Sequence, residues 1–112
     1  MGSPLSGLNS VAIRATISNM NGFVLVGAMI GTFDPSTMTL PSTINIKQGL
    51  FEQNTALYKV RMQYASQNLE VEIGIDELTA NTNYTLFYYA TSDDPTFTAD
   101  ATSVQYIGFQ TL

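Results

Sequence analysis

A leucine and a tyrosine on either side of a polar turn constrain the fold of this chain more than any other feature. They are Leu78 and Tyr84, within the stretch IGIDELTANTNYTLFYYA at residues 73–90. In a β-sandwich such a leucine closes the bottom of the core. The tyrosine then begins the next strand with its hydroxyl turned back onto the backbone of the turn, an arrangement called a tyrosine corner. The stretch therefore predicts an all-β sandwich.

Apolar and polar residues alternate elsewhere in the chain, as half-buried strands require. The alternation predicts strands at residues 11–18, 57–64, 69–75, 84–90 and 103–112. Residues 23–30 are apolar on both faces, which predicts a central strand and raises the question of what covers its outer face. Residues 31–56 break the alternation. Within them PSTINIKQG, at 41–49, predicts a short helical turn between a proline and a glycine.

The composition removes most catalytic chemistry. The chain has no His, Cys or Trp, so the commonest general base, the thiol nucleophile, the disulfide and the usual zinc ligands are missing together. Asp76 and Glu77 are neighbours on one turn, whereas the paired acids of a glycosidase face each other at about 5 to 9 Å. We therefore expect a non-catalytic protein that needs no cofactor.

Charge and length limit the partners and the domain organisation. A net charge of -5 with only four Lys and Arg residues argues against nucleic acid, whose phosphates attract clustered cations. No apolar run approaches the roughly 20 residues of a membrane span, so we expect no membrane insertion. The 112 residues fit an N-terminal arm at 1–10 and a single sandwich at 11–112. A surface rich in Ser, Thr and Asn is typical of extracellular or cell-surface β-proteins.

The order of these signals resembles a fibronectin type III-like (immunoglobulin-like) β-sandwich module, of the kind found in large microbial surface proteins. The segments that carry the resemblance are GFVLVGAMI, PSTINIKQG, ELTANTNYTLFYYA, SDDP and IGFQTL. The chain lacks the tryptophan that many such modules carry in an early strand. The resemblance covers residues 11–112. It implies about seven antiparallel strands and a spacer, adhesion or assembly role with no catalytic residue.

Several side chains are candidates for an interface. The predicted sheet of the third, fifth and last strands turns cations and aromatics outward, where they could hold a sugar ring or a protein partner. Ordinary cross-strand packing is the alternative explanation of the same residues. Leucines of the N-terminal arm could add to the edge of a neighbouring copy or dock on their own domain. The candidates are Leu5, Leu8, Lys59, Arg61, Phe87, Tyr89 and Tyr106.

Two further motifs point to modification or ion binding. Asn83 begins the only Asn-X-Thr match, so it is a candidate for a glycan in a secreted glycoprotein. The acidic turn Asp93-Asp94-Pro95, with Asp100, offers oxygen ligands for calcium, but its spacing does not match an EF-hand loop. Asp and Pro are also ordinary turn residues, which explains the same sequence without a metal.

Together these features predict an extracellular structural module that associates with itself or with neighbouring modules, as the subunit of a fibre or a surface layer. The alternative is a carbohydrate-binding module that uses the outward aromatic face. A flat aromatic face would favour assembly, whereas a groove with one or two exposed rings would favour sugar binding.

Overall fold

The computed structural model describes residues 4–18, 21–52, 55–92 and 103–112. In this part of the chain there are nine β-strands and one short helix. In chain order they are β1 Leu5–Ser6, β2 Val11–Thr16, β3 Gly22–Ile30, α1 Thr43–Lys47, β4 Leu50–Glu52, β5 Thr55–Ala56, β6 Lys59–Ala65, β7 Glu70–Ile75, β8 Asn83–Ser92 and β9 Gln105–Gln110.

Most of the strands belong to two antiparallel sheets. The three-stranded sheet has the order β1-β2-β7, the four-stranded sheet has the order β6-β3-β8-β9, and β4 pairs with β5 in a small separate sheet. Apolar residues of the two larger sheets form one buried cluster, for example Ile13 and Ile73 with Val26 and Leu86. The prediction of an all-β chain is confirmed, and the two sheets pack in the manner of a β-sandwich.

A second buried cluster lies on the other face of the four-stranded sheet. We call the face toward the three-stranded sheet the inner face and the opposite one the outer face. The central strand β3 contributes Leu25 to this outer cluster, and β8 contributes Phe87 and Tyr89. A covering segment, residues 31–52 and 55–57, lies over them. Its buried contributions are Phe33, Ile46, Phe51 and Leu57.

Local sequence explains how the covering segment folds. The Ser42 hydroxyl caps α1 by accepting from the Asn45 N–H at 3.1 Å, and Gly49 follows the helix with a φ of 75° that favours glycine. The predicted short helical turn is confirmed, with Pro41 just before the cap. Ile46 of this helix is fully buried. Gly27 makes room beneath it, since a Cβ there would lie 2.7 Å from Leu57 Cδ1.

Thr85 attaches the start of the covering segment to β8. Its buried hydroxyl donates to the Gly31 carbonyl at 2.9 Å and accepts from the Phe33 N–H at 3.0 Å. These bonds satisfy two backbone groups that pairing with a strand would otherwise satisfy. They also place the Phe33 ring edge-on to the Phe87 ring, with the centroids 5.4 Å apart.

The turn before β8 is held by the Tyr84 hydroxyl and by the segment that precedes β2. The Thr79 N–H donates to the Tyr84 hydroxyl at 2.8 Å, and both Leu78 and Tyr84 are buried. The Leu78 N–H in turn donates to the Asn9 carbonyl at 2.9 Å. The bond between the Tyr84 hydroxyl and the Thr79 backbone is the contact that defines a tyrosine corner.

Candidate interaction surfaces

The predicted outward aromatic face is not a free surface. Phe87 and Tyr89 do lie on the outer face, but they are 0% and 2% exposed because the covering segment packs on them. The Tyr89 hydroxyl also donates to the Thr43 carbonyl at the start of α1, at 3.3 Å. The interpretation of these two residues as partner-binding aromatics is therefore wrong, because they are part of the protein's own core.

Lys59 and Arg61 do not join those aromatics. In the sheet register Val60 lies opposite Gly27, which in turn lies opposite Phe87. Directly opposed residues share a face, so Val60 is on the outer face with Phe87. Lys59 and Arg61 consequently belong to the inner face of β6. The expected combination of cations and aromatics on one face is wrong, because β6 pairs in a register that separates them.

Tyr106 is the predicted aromatic that keeps a large exposed area. It lies opposite Phe87 on β9 and is 43% exposed. Its ring also contacts Phe33, with the centroids 4.7 Å apart. Tyr106 therefore lies at the rim of the outer cluster rather than in a separate aromatic platform.

The N-terminal arm docks on its own domain. Leu5 and Ser6 pair with Ala12 and Val11 at the edge of the three-stranded sheet. The Gly7 carbonyl accepts from the Leu112 N–H at 3.0 Å, so the arm also contacts the end of the chain. Of the two alternatives, docking on the same domain is the one that the backbone hydrogen bonds display. The side chains of Leu5 and Leu8 remain exposed.

The edge strand β6 carries an apolar surface that the sequence alone did not single out. Met62 is 61% exposed and Tyr64 is 43% exposed, although both are large side chains on the outer face. The Tyr64 ring packs edge-on against Phe23 of β3, with the centroids 5.4 Å apart. The alternation in β6 places these residues on one face, but only the sheet order shows that β6 is the end strand among the described strands of its sheet.

The acidic residues Asp76 and Glu77 lie in the turn that follows β7. The Lys59 ammonium donates to the Asp76 carboxylate at 2.7 Å and to its carbonyl at 3.0 Å. The hydrogen bond and the positive charge of Lys59 lower the pKa of Asp76, and the same bond raises the pKa of Lys59. The Tyr58 hydroxyl donates to the Glu77 carbonyl at 2.7 Å. Together these contacts hold the turn against the start of β6.

Of the two remaining predicted sites, Asn83 lies among the described residues and the acidic turn does not. Asn83 is exposed at the start of β8, where its side chain is open to modification. The residues of the acidic turn, Asp93, Asp94 and Asp100, lie outside the described residues. In the described ranges no group of three acidic side chains is placed to hold a metal ion. No helix among the described residues is long and apolar enough to cross a membrane.

Comparison of the chain with protein-family models, with curated proteins and with solved structures finds no match. The strands and their packing establish an all-β chain with two packed antiparallel sheets.

Proposed function

We propose that this chain is a non-catalytic structural module, fibronectin type III-like in fold, that associates with copies of itself outside the cell or at its surface. The observation that carries the proposal is β6, which is the end strand of its sheet among the described residues and carries the exposed side chain of Met62. Such an edge offers backbone groups and apolar area to another chain at the same place. Self-association gives that edge a function.

Support for the fold assignment comes from the strand arrangement. The two main sheets have three and four strands, and a total of seven in two packed sheets is the number found in immunoglobulin-like sandwiches. The bond between the Thr79 N–H and the Tyr84 hydroxyl is the second feature. A shared architecture does not imply a shared activity, so the functional proposal rests on the surface.

Support for a non-catalytic role comes from the interior. The buried polar residues among those described are Thr85 and Thr111. Both hydroxyls bind nearby backbone carbonyls, at 2.9 Å to Gly31 and at 2.6 Å to Thr79. These groups satisfy the backbone and are not poised to react. An enzyme would be expected to keep a perturbed titratable group in a cleft, whereas the shifted pKa values of Asp76 and Lys59 arise from their own ion pair at a surface turn.

The carbohydrate-binding alternative loses the observation on which it depended. It required aromatic rings presented to solvent beside cations, but Phe87 and Tyr89 are buried and Lys59 and Arg61 are on the other face. We therefore favour self-association over sugar binding.

Sedimentation velocity over a wide range of protein concentrations tests the proposed function. We expect the weight-average sedimentation coefficient to rise with concentration, because an exposed edge captures another chain by mass action. A chain that sediments as a monomer at the highest attainable concentration would contradict self-association.

A screen with glycoside, ester and peptide substrates tests the absence of catalysis. We expect background rates of hydrolysis. Turnover that disappears in the Asp76→Asn variant would overturn the non-catalytic assignment.

A further inference from the structure

We propose that two copies of the chain pair edge to edge through β6, in antiparallel orientation, with Met62 opposite Met62 of the second copy. This inference rests on the proposed self-association and names the surface and the register that carry it. A two-fold axis perpendicular to the sheet would then join two four-stranded sheets into one continuous eight-stranded sheet.

Strand β6 presents a regular edge. β6 is the end strand of its sheet in the described structure, and all its residues, Lys59–Ala65, pair with β3 without a register shift. The strand contains no proline and no bulge, which are two of the devices by which proteins protect an exposed edge. A straight edge of this length can therefore accept the backbone of another strand.

The sequence of β6 is complementary to itself in an antiparallel pair. Met62 is the midpoint of Lys59–Ala65, so pairing about Met62 is the antiparallel register that matches every residue of both strands. On the outer face Met62 then lies opposite its own copy, and Val60 lies opposite Tyr64 of the second copy. Apolar side chains would thus meet apolar side chains, next to the Phe23 ring that already packs on Tyr64.

The charged residues of β6 also favour this register. Pairing about Met62 places Arg61 opposite Gln63 of the second copy and Lys59 opposite Ala65 of the second copy, so no like charges are directly opposed. A shift of the register that centres on Arg61 would oppose two guanidinium groups, which destabilises a strand pair. Lys59 is already held by Asp76 of its own chain at 2.7 Å. The charges of β6 therefore favour the register about Met62 over the one centred on Arg61.

The other apolar candidates are less suited to a symmetric contact. Leu5 belongs to a strand of two residues, which offers few backbone groups to a partner. The outward face of its sheet carries a charged cluster, where Arg14 lies 3.6 Å from Glu70 and 3.5 Å from Glu72. Solvated charges of this kind gain little from being covered.

Paired charge substitutions test which surface carries the association. Met62→Glu would oppose two carboxylates at the centre of the contact, and we expect the dimer dissociation constant to rise at least about tenfold. The matched control is Leu5→Glu, because Leu5 and Met62 are both 61% exposed. We expect the control to dimerise like the original chain. Circular dichroism verifies that both variants are folded.

Single cysteines test the register, and they are clean probes because the chain has no cysteine of its own. Under mild oxidation we expect Met62→Cys to form a disulfide-linked dimer, since residues 62 would be directly opposed. We expect Arg61→Cys and Gln63→Cys to link poorly when each is alone. An equimolar mixture of those two variants should form the linked heterodimer.

The outcomes separate this inference from the proposed function. If the chain associates but Leu5→Glu dissociates it and Met62→Glu does not, the β6 contact is wrong while self-association stands. If Met62→Glu abolishes association but the Met62→Cys variant does not link, the proposed register is wrong. If the original chain is monomeric at all concentrations, both the inference and the proposed function fail.

Discussion

Each face of the four-stranded sheet contributes to a buried cluster, but the chain covers the two faces in different ways. On the inner face the partner is another sheet, whose alternating residues such as Ile13 and Ile73 supply the contacts. On the outer face the partner is an irregular segment that supplies Phe33, Ile46, Phe51 and Leu57. The alternation of apolar residues in a sequence can thus predict a core between two sheets. A core under an irregular segment has no such pattern and is seen only in the structure.

This difference decides where a partner can bind. Because the covering segment occupies much of the outer face, the aromatics there stabilise the chain and are not available to another molecule. The edges of the sheet are left, and β6 is the edge with a large exposed apolar side chain at its centre. Four substitutions test the comparison between the faces, in order of decreasing expected effect.

Phe87→Ala is expected to have the largest effect on stability, because it shows whether Phe87 is a core residue or a surface residue. Phe87 is fully buried in the outer cluster, so we expect a loss of about 3 to 5 kcal/mol in the free energy of unfolding, measured by denaturant titration. The matched variant is Leu86→Ala, which truncates the adjacent residue of β8 on the inner face. Its expected loss is about 2 to 5 kcal/mol. A cost below about 0.5 kcal/mol for Phe87→Ala alone would indicate an exposed outer face.

Thr85→Val tests the attachment of the covering segment. The substitution keeps the size of the side chain but leaves the Phe33 N–H and the Gly31 carbonyl without their partner. We expect a loss of about 1 to 3 kcal/mol in the free energy of unfolding. Thr16→Val, at an exposed position of β2, is the control and should change stability by less than about 0.5 kcal/mol. Equal effects of the two variants would argue against the role assigned to Thr85.

Tyr84→Phe tests the corner that closes the inner cluster. The variant retains the packed ring but loses the hydroxyl that accepts from the Thr79 N–H at 2.8 Å. We expect a loss on the order of 1 kcal/mol in the free energy of unfolding. Tyr106→Phe removes a hydroxyl from a tyrosine that is largely exposed and should have a smaller effect. If stability is unchanged in Tyr84→Phe, the hydroxyl bond is not a support of the fold.

Asp76→Asn should have the smallest effect, and its dependence on pH identifies the cause. Lys59 lowers the pKa of Asp76 below its ordinary 3.8, so this stabilisation is present above pH 3.8 and lost as pH falls through the folded pKa. The pKa of Lys59 is raised above its ordinary 10.5, so its share is present below pH 10.5 and lost as pH rises through the folded value.

Thermal unfolding at several pH values checks this assignment. Asp76→Asn should be slightly less stable than the original chain at neutral pH, and the difference should vanish in strong acid, where Asp76 is protonated in both states. Glu52→Gln, which neutralises an exposed acid on β4, is the control. A deficit in Asp76→Asn that persists unchanged in strong acid would assign the effect to something other than the ion pair.

The sequence predicted the parts of the fold that depend on local pattern. Alternation located the buried side chains of β2, the two-sided apolar run located the central strand β3, and proline and glycine located α1. The order of the sheets and their register lay beyond it. A slip of one residue reverses which side chains share a face, which is why Lys59 and Arg61 were placed beside Phe87 although Val60 occupies that position.

The covering segment was the larger omission, and its cause is physical. Residues 31–56 show no periodicity because each buried side chain reaches the sheet from a different local structure. Phe33 lies in an irregular stretch, Ile46 in a helix and Phe51 in a short strand. The apolar outer face of β3 indicated that something covers it, but the sequence did not identify these residues as the cover. Because the sequence did not identify the residues that cover Phe87 and Tyr89, these two aromatics were expected to be exposed to a partner.

Amide hydrogen exchange measured by NMR tests most directly whether the covering segment is part of the folded core. The informative amides are those of Phe33 and Leu57, which donate to Thr85 Oγ1 at 3.0 Å and to the Gly49 carbonyl at 2.8 Å. The structure predicts protection close to that of the central strands β3 and β8, because these bonds break only when the core opens. Exchange as rapid as that of the Ser36 amide, in an exposed turn, would contradict an outer face covered by the chain itself.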